Sequence, residues 1–148
     1  VGKRPRDMAF GPDGDTAYVS GEMDASLYRM NVTGNVPVQR LLQLREEARP
    51  MAVILDAHRK RLYLSTGRGG TVAVVDMTAA PKGARLIKEV SVGKRPWGMA
   101  LSADGRYLYT ANGPSNDVSV VDTTTLSEVK RIPVGQSPWG IVLGPAPP

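Results

Sequence analysis

Val92–Asn112 reads VGKRPWGMALSADGRYLYTAN, and the chain says nearly the same thing more than once. VGKRPRDMAFGPDG opens at Val1, VGQSPWGIVLG begins at Val134, and a more diverged copy, ARPMAVILDAHRKRLY, runs over Ala48–Tyr63. Two spacings are rigid. Pro5 to Tyr18, Pro50 to Tyr63 and Pro96 to Tyr109 are 13 residues each, and so are Tyr18 to Asn31, Tyr63 to Asp76 and Tyr109 to Asp122. Only the return to the next proline varies, at 19, 20 and 16 residues. Rigid spacing is what strands paired in fixed register require, and elastic spacing marks a surface loop. Periods of this size belong to solenoids, propellers and arrays, whose units bury their faces only against neighbours.

The copy from Val92 reads as four short strands. Trp97–Ser102 alternates and ends in the turn Ala103-Asp104-Gly105. Arg106–Ala111 alternates again and runs into the loop Asn112–Asp117. Val118–Asp122 is β-branched and short, as a buried strand should be. Glu128–Val134 alternates polar with apolar, like an outer strand. The same four overlay on Arg6–Leu44 and Met51–Val92, and Trp139–Leu143 makes a thirteenth strand. Leu41–Ala48 has room for one helical turn, at the end of an outer strand and the loop after it. The blade repeats are thus about 1–45, 46–91 and 92–133, with a fourth begun at 134–148. The fold predicted is all-β, a β-propeller of four-stranded antiparallel blades with three blades and one extra inner strand in this chain.

The pattern behind this is VGxxPxGxAxSxDGxxLYxxN…VxVxD, and over essentially the whole chain it resembles the YVTN-type propeller repeat. The first copy departs from it with Asn31 for the strand-end Asp and Glu22 for the loop Asn. The second has Asp56-Ala57-His58-Arg59 in place of the Asp-Gly turn. VGKRPRDMAF and the Met-Asp that follows also resemble propellers associated with pyrroloquinoline quinone-dependent catabolism. The resemblance implies a periplasmic or extracellular setting among surface proteins, lactonase-like enzymes and tetrapyrrole-binding propellers.

Composition narrows the chemistry. The chain has no cysteine, so it has neither a disulfide framework nor a thiolate metal site. Its net charge is +5, but the basic residues are spread through every repeat rather than gathered in the stripe that marks nucleic-acid binding. No apolar run approaches the roughly 18 residues that span a membrane. The chain opens at Val1 without a leader, which is the expectation for a processed or trimmed product.

Three blades leave the apolar flanks of two blades open, more than a stable monomer exposes. Either further blades of a larger parent cover them, or copies associate. The expected self-association is a homodimer with a six-bladed ring.

The loops entering inner strands and those joining second to third strands share one face. That face carries the candidate ligand-binding residues Arg4, Arg68, Arg95, Trp97, Asn112 and Trp139. The guanidinium forks suit a carboxylate or phosphate. The alternative is that they are solvated charges, or pairs with Glu46, Glu47 and Asp117. Trp97 and Trp139 occupy one repeat position, either as a stacking platform for a flat ligand or as packing between blades. Arg6 and Met51 hold that place in the other copies.

His58 is the sole histidine, in a turn on the opposite face, so a catalytic triad or a two-histidine metal site is excluded within one chain. Asp13-Gly14-Asp15 and Asn116-Asp117 offer oxygens for a cation, but Asp-Gly is first a turn. Asp76, Asp122 and Asn31 end third strands, where their side chains accept bonds from turn amides. No catalytic residue, metal or cofactor is assigned. The functional expectation is a non-enzymatic binding scaffold, and the alternative is part of an enzyme or cofactor-binding propeller, lactonase-like or quinoprotein-associated.

Overall fold

The computed structural model describes residues 1–33 and 37–144. The last four residues of the fourth-repeat segment therefore lie outside the described residues. Among the described residues, twelve strands form three four-stranded antiparallel sheets, each in chain order. Blade 1 is β1 (Pro5–Phe10), β2 (Thr16–Gly21), β3 (Ser26–Asn31) and β4 (Gln39–Gln43). Blade 2 is β5 (Pro50–Asp56), β6 (Arg61–Thr66), β7 (Thr71–Asp76) and β8 (Arg85–Ser91). Blade 3 is β9 (Pro96–Leu101), β10 (Tyr107–Asn112), β11 (Asp117–Asp122) and β12 (Ser127–Pro133). Glu46–Ala48 forms a single 3₁₀ turn between β4 and β5, the one helical turn for which the sequence has room.

The rigid spacings follow from register. Tyr18 pairs with Ala9, Tyr63 with Ile54 and Tyr109 with Ala100. Each inner strand also carries a β-bulge at one place. Between Pro5↔Gly21 and Met8↔Val19, Arg6 and Asp7 face the single residue Ser20. Met51 and Ala52 face Ser65 in the same way, and Trp97 and Gly98 face Ala111. A bulge adds local twist and re-aims a side chain.

The core lies between blades. Leu27, Leu41, Leu44, Val53, Leu62, Leu64 and Val75 fill the space between blades 1 and 2. Tyr63, Val72, Val74, Val90, Met99, Leu108 and Val121 fill that between blades 2 and 3. Exposed apolar side chains gather where a neighbouring blade is lacking. Val53 and Met99 are buried, but their blade 1 counterpart Met8 is 50% exposed, with Phe10 at 54%. Val90 is 3% exposed, while its blade 3 counterpart Ile132 is 37% exposed beside Val129 at 54%.

The fourth repeat corrects one expectation. Trp139–Leu143 is not a strand: among the described residues its backbone tie to the sheets is the bond from Gly98 N–H to the Trp139 carbonyl, 3.0 Å.

Candidate functional site

The residue before the proline has a left-handed backbone in every copy. Arg4 has φ 59°, Arg49 51°, Arg95 51° and Ser137 48°. A following proline disfavours helical conformations at such a residue, and a non-glycine residue is strained there. Strain of this kind persists only where the surroundings enforce it, and it concentrates at functional sites. Here the loop carbonyls are engaged: Arg4 O accepts from Glu22 N–H (3.0 Å), Arg49 O from Gly67 N–H (3.0 Å) and Arg95 O from Gly113 N–H (3.4 Å). The repeat thereby turns one guanidinium per blade onto the same face.

A cleft of about 250 Å³ opens there, lined by Arg4, Arg6, Glu22, Arg49, Arg68 and Arg95 with Met51, Gly67, Trp97 and Trp139. A second hollow adjoins it along the bulges, where Asp7 and Gly98 join Arg6, Met51, Trp97 and Trp139. Five of the six predicted residues, Arg4, Arg68, Arg95, Trp97 and Trp139, thus meet in one cleft. Asn112 does not. It is fully buried; its amide donates to Asp117 Oδ1 (2.7 Å) and Ser119 Oγ (2.8 Å), while its carbonyl oxygen accepts from Thr110 Oγ1 (2.8 Å). Its role there is to tie β10 to β11. Register also places Gly21 and Thr66, rather than Glu22, at its repeat position.

Arg6, Arg49 and Glu22, which the sequence places on the same face without singling them out as ligand-binding candidates, also line the cleft. Arg49 carried a signal, being the pre-proline arginine of the second copy. Glu22 Oε2 lies 3.2 Å from Arg4 Nε and 3.5 Å from Arg6 Nε. It is buried, yet no hydrogen bond to it is aligned among the described residues. The Arg4 partner is therefore Glu22, not Glu46, Glu47 or Asp117. Asp117 instead faces Arg131 at 3.7 Å. The Arg49 guanidinium reaches the Met23 carbonyl at 3.3 Å. Arg95 lies over the Trp97 ring, 5.7 Å from its centroid.

Both carboxylate oxygens of Asp7 are engaged, Oδ1 by Met8 N–H (2.9 Å) and Oδ2 by Val53 N–H (3.0 Å) across the blade boundary. Trp97 and Trp139 pack on each other, with centroids 4.1 Å apart and planes tilted by 42°. Trp97 also sits over Gly113, where a Cβ would lie 2.7 Å from its Cζ3.

Away from the cleft, the strand-end acids cap turns as the sequence suggests. Asp76 Oδ1 accepts from Thr78 N–H (2.8 Å) and Asp122 Oδ1 from Thr124 and Thr125 N–H (2.8 and 3.0 Å). Asn31 Oδ1 accepts from Thr33 N–H (3.1 Å). The Thr125 amide bond, then that of Thr124, holds the Asp122 carboxyl below the ordinary carboxylate range. The Thr78 amide does the same for Asp76. Asp13, considered for a cation, is taken up by Asp15 N–H, Thr16 N–H and Thr16 Oγ1. No cluster of acids, histidines or cysteines able to hold a metal occurs among the described residues, and none of their helices is long and apolar enough to cross a membrane. His58 is exposed on the opposite face, in a groove with Asp104 and Arg59.

Residues 1–139 match the family described as lactonase, 7-bladed β-propeller. The chain belongs to that family. Hydrazine synthase of Kuenenia stuttgartiensis is similar in structure, with 25% identity and a TM-score of 0.78 over 92% of this chain and 38% of that one. The periplasmic gluconolactonase of Pseudomonas aeruginosa is 23% identical, with a TM-score of 0.74 over 93% of this chain and 42% of its own. A Bacteroides fragilis protein provisionally assigned as a 6-phosphogluconolactonase is 20% identical, with a TM-score of 0.77 over 92% and 40%. The chain thus spans about two-fifths of these proteins (38–42%). No curated protein sequence matches it significantly. The family favours the lactonase-like alternative over the non-enzymatic scaffold.

Proposed function

We propose that the chain is three blades of a seven-bladed, lactonase-type ring whose arginine-lined cleft takes an anionic sugar lactone for hydrolysis. The observation that carries this is the convergence of Arg4, Arg49, Arg68 and Arg95, one or more from each blade, on one cleft that Glu22 also lines. The family match supplies the reaction class, and the YVTN-like repeat pattern is compatible with it. Three blades of seven are close to the share of their lengths that the chain spans. The flanks at Met8 and Phe10, and at Val129 and Ile132, are then blade interfaces. The periplasmic neighbour supports a periplasmic or extracellular setting.

Guanidinium forks suit the phosphate or carboxylate of such a ligand, binding it in a bidentate way. In lactone hydrolysis, water adds to the ring carbonyl, the ring C–O bond breaks, and the water's proton passes to the ring oxygen, giving the open hydroxy acid. Glu22 is the cleft carboxylate whose oxygen has no aligned hydrogen bond, and it takes the role of base. Arg4 and Arg6 lie where an oxyanion would gain from fixed positive charge.

The test is hydrolysis of δ-gluconolactone and its 6-phosphate by the protein carrying this chain. Turnover that falls on the order of 100-fold in Glu22→Gln supports the reading. Turnover unaffected by Glu22→Gln and by Arg95→Ala contradicts it. The Arg4–Glu22–Arg6 arrangement favours one second reading, a binding cleft in which the carboxylate only organises the arginines. Ligand binding without turnover would show that.

A further inference from the structure

We propose that Ala111 and Gly98 are positioning residues that close the seam between β9 and the Trp139–Gly140 segment, and so seat Trp139 on Trp97 as one wall of the cleft. The other two seams show what is changed. Between blades 1 and 2, the Ser20 hydroxyl accepts from Asp7 N–H (3.2 Å) and donates to the Met51 carbonyl (2.6 Å). Between blades 2 and 3, the Ser65 hydroxyl accepts from Ala52 N–H (3.0 Å) and donates to the Trp97 carbonyl (2.7 Å). Each seam therefore has a hydroxyl inserted between the bulge amide of one inner strand and the bulge carbonyl of the next.

The third seam has no hydroxyl to insert, because Ala111 stands at the position of Ser20 and Ser65. There the bulge amide of Gly98 donates directly to the Trp139 carbonyl, at 3.0 Å. One hydrogen bond replaces two in series, so β9 and the Trp139 segment approach by roughly the reach of one hydrogen bond, a little under 3 Å.

A second difference permits the approach. The position of Gly98 is held by Asp7 and Ala52 in the first two repeats, and both carry a Cβ. A Cβ on Gly98 would meet Gly140 Cα at 2.8 Å and the Trp139 carbonyl oxygen at 3.0 Å, both backbone atoms that cannot swing aside. Two independent changes at one seam thus act in the same direction. Their consequence is the indole pair, with centroids at 4.1 Å, beside Arg95 and Arg68. The inference does not depend on which ligand the cleft takes.

The experiment is circular dichroism of the indole exciton couplet, which reports the distance and angle of the Trp97–Trp139 pair. The wild-type protein should show the couplet and Trp139→Phe should abolish it. Ala111→Ser restores the spacer and should reduce the couplet by more than half while the β-sheet signal is kept. Ser20→Ala, at a seam remote from the pair, should leave the couplet unchanged. An undiminished couplet in a folded Ala111→Ser protein would overturn the proposal. Should that variant not fold, Gly98→Ala decides by the same two outcomes.

Discussion

The hydroxyl of Ser65 ties Ala52 to Trp97, taking a hydrogen bond from the amide of one blade and giving one to the carbonyl of the next. Ser65 is fully buried, so its removal leaves a donor and an acceptor without partners. Ser65→Ala should cost about 1–3 kcal/mol in chemical denaturation. Ser65→Gly should cost at least as much, and an unchanged midpoint in either would show that the relay is not structural.

Arg95 holds a left-handed backbone before a proline, with φ 51°. Arg95→Asn keeps a residue that tolerates this conformation. Its thermal stability should be unchanged or raised by up to about 1 kcal/mol, while anion binding in the cleft weakens. A variant losing both stability and binding would mean that the guanidinium serves the fold.

Gly113 lies under the ring of Trp97. Gly113→Ala should displace the indole, shift tryptophan emission and cost about 1–3 kcal/mol through overpacking. Identical emission from wild type and variant would place the ring elsewhere.

Hydrogen bonds from neighbouring amides and hydroxyls hold Asp13, Asp76, Asp104 and Asp122 below their ordinary value of 3.8. A lowered folded pKa means that the unfolded chain takes up protons first as pH falls. The stabilisation is therefore complete well above pH 3.8 and is lost as pH drops below that value through the folded pKa. Denaturation midpoints should fall across this window, and the fall should be shallower in Asp122→Asn. A midpoint independent of pH there would contradict the capping account.

The exposed flanks make a prediction about assembly. The 148-residue chain by itself should associate with rising concentration in light scattering, because Phe10 and Ile132 lie where blade interfaces belong. Glu at both positions should return a mass near 15.9 kDa. Two copies closing a six-bladed ring would instead give a sharp, concentration-independent dimer.

Much of this fold is written in intervals. The 13-residue steps from proline to tyrosine and from tyrosine to the strand-end residue each run from one strand to the next in a fixed register, so the strand bounds of the third copy could be read to within a residue or two. The channel face followed from strand order, which put five of six chosen residues into the cleft. What escaped depends on tertiary partners. Asn112 looked like a loop residue because Gly113-Pro114-Ser115 follows it, yet its amide is consumed inside the sheet. Glu22 looked like the counterpart of Asn112, but register gives that place to Gly21 and sets Glu22 one residue on, beside Arg4 and Arg6. Trp139–Leu143 has the strand pattern, but among the described residues its backbone tie to the sheets is one bond from Gly98. The left-handed arginines were not legible at all, since proline ordinarily drives its predecessor to extended conformations.

The most direct test of the cleft is calorimetric titration with 6-phosphogluconate and gluconate, the stable ring-opened products, at low and physiological salt. The account predicts that the phosphorylated acid binds more tightly and that added salt weakens it. Arg68→Ala and Arg95→Ala should each weaken it about tenfold. Equal affinity for both acids, insensitive to salt and to loss of both arginines, would contradict an anion-binding cleft.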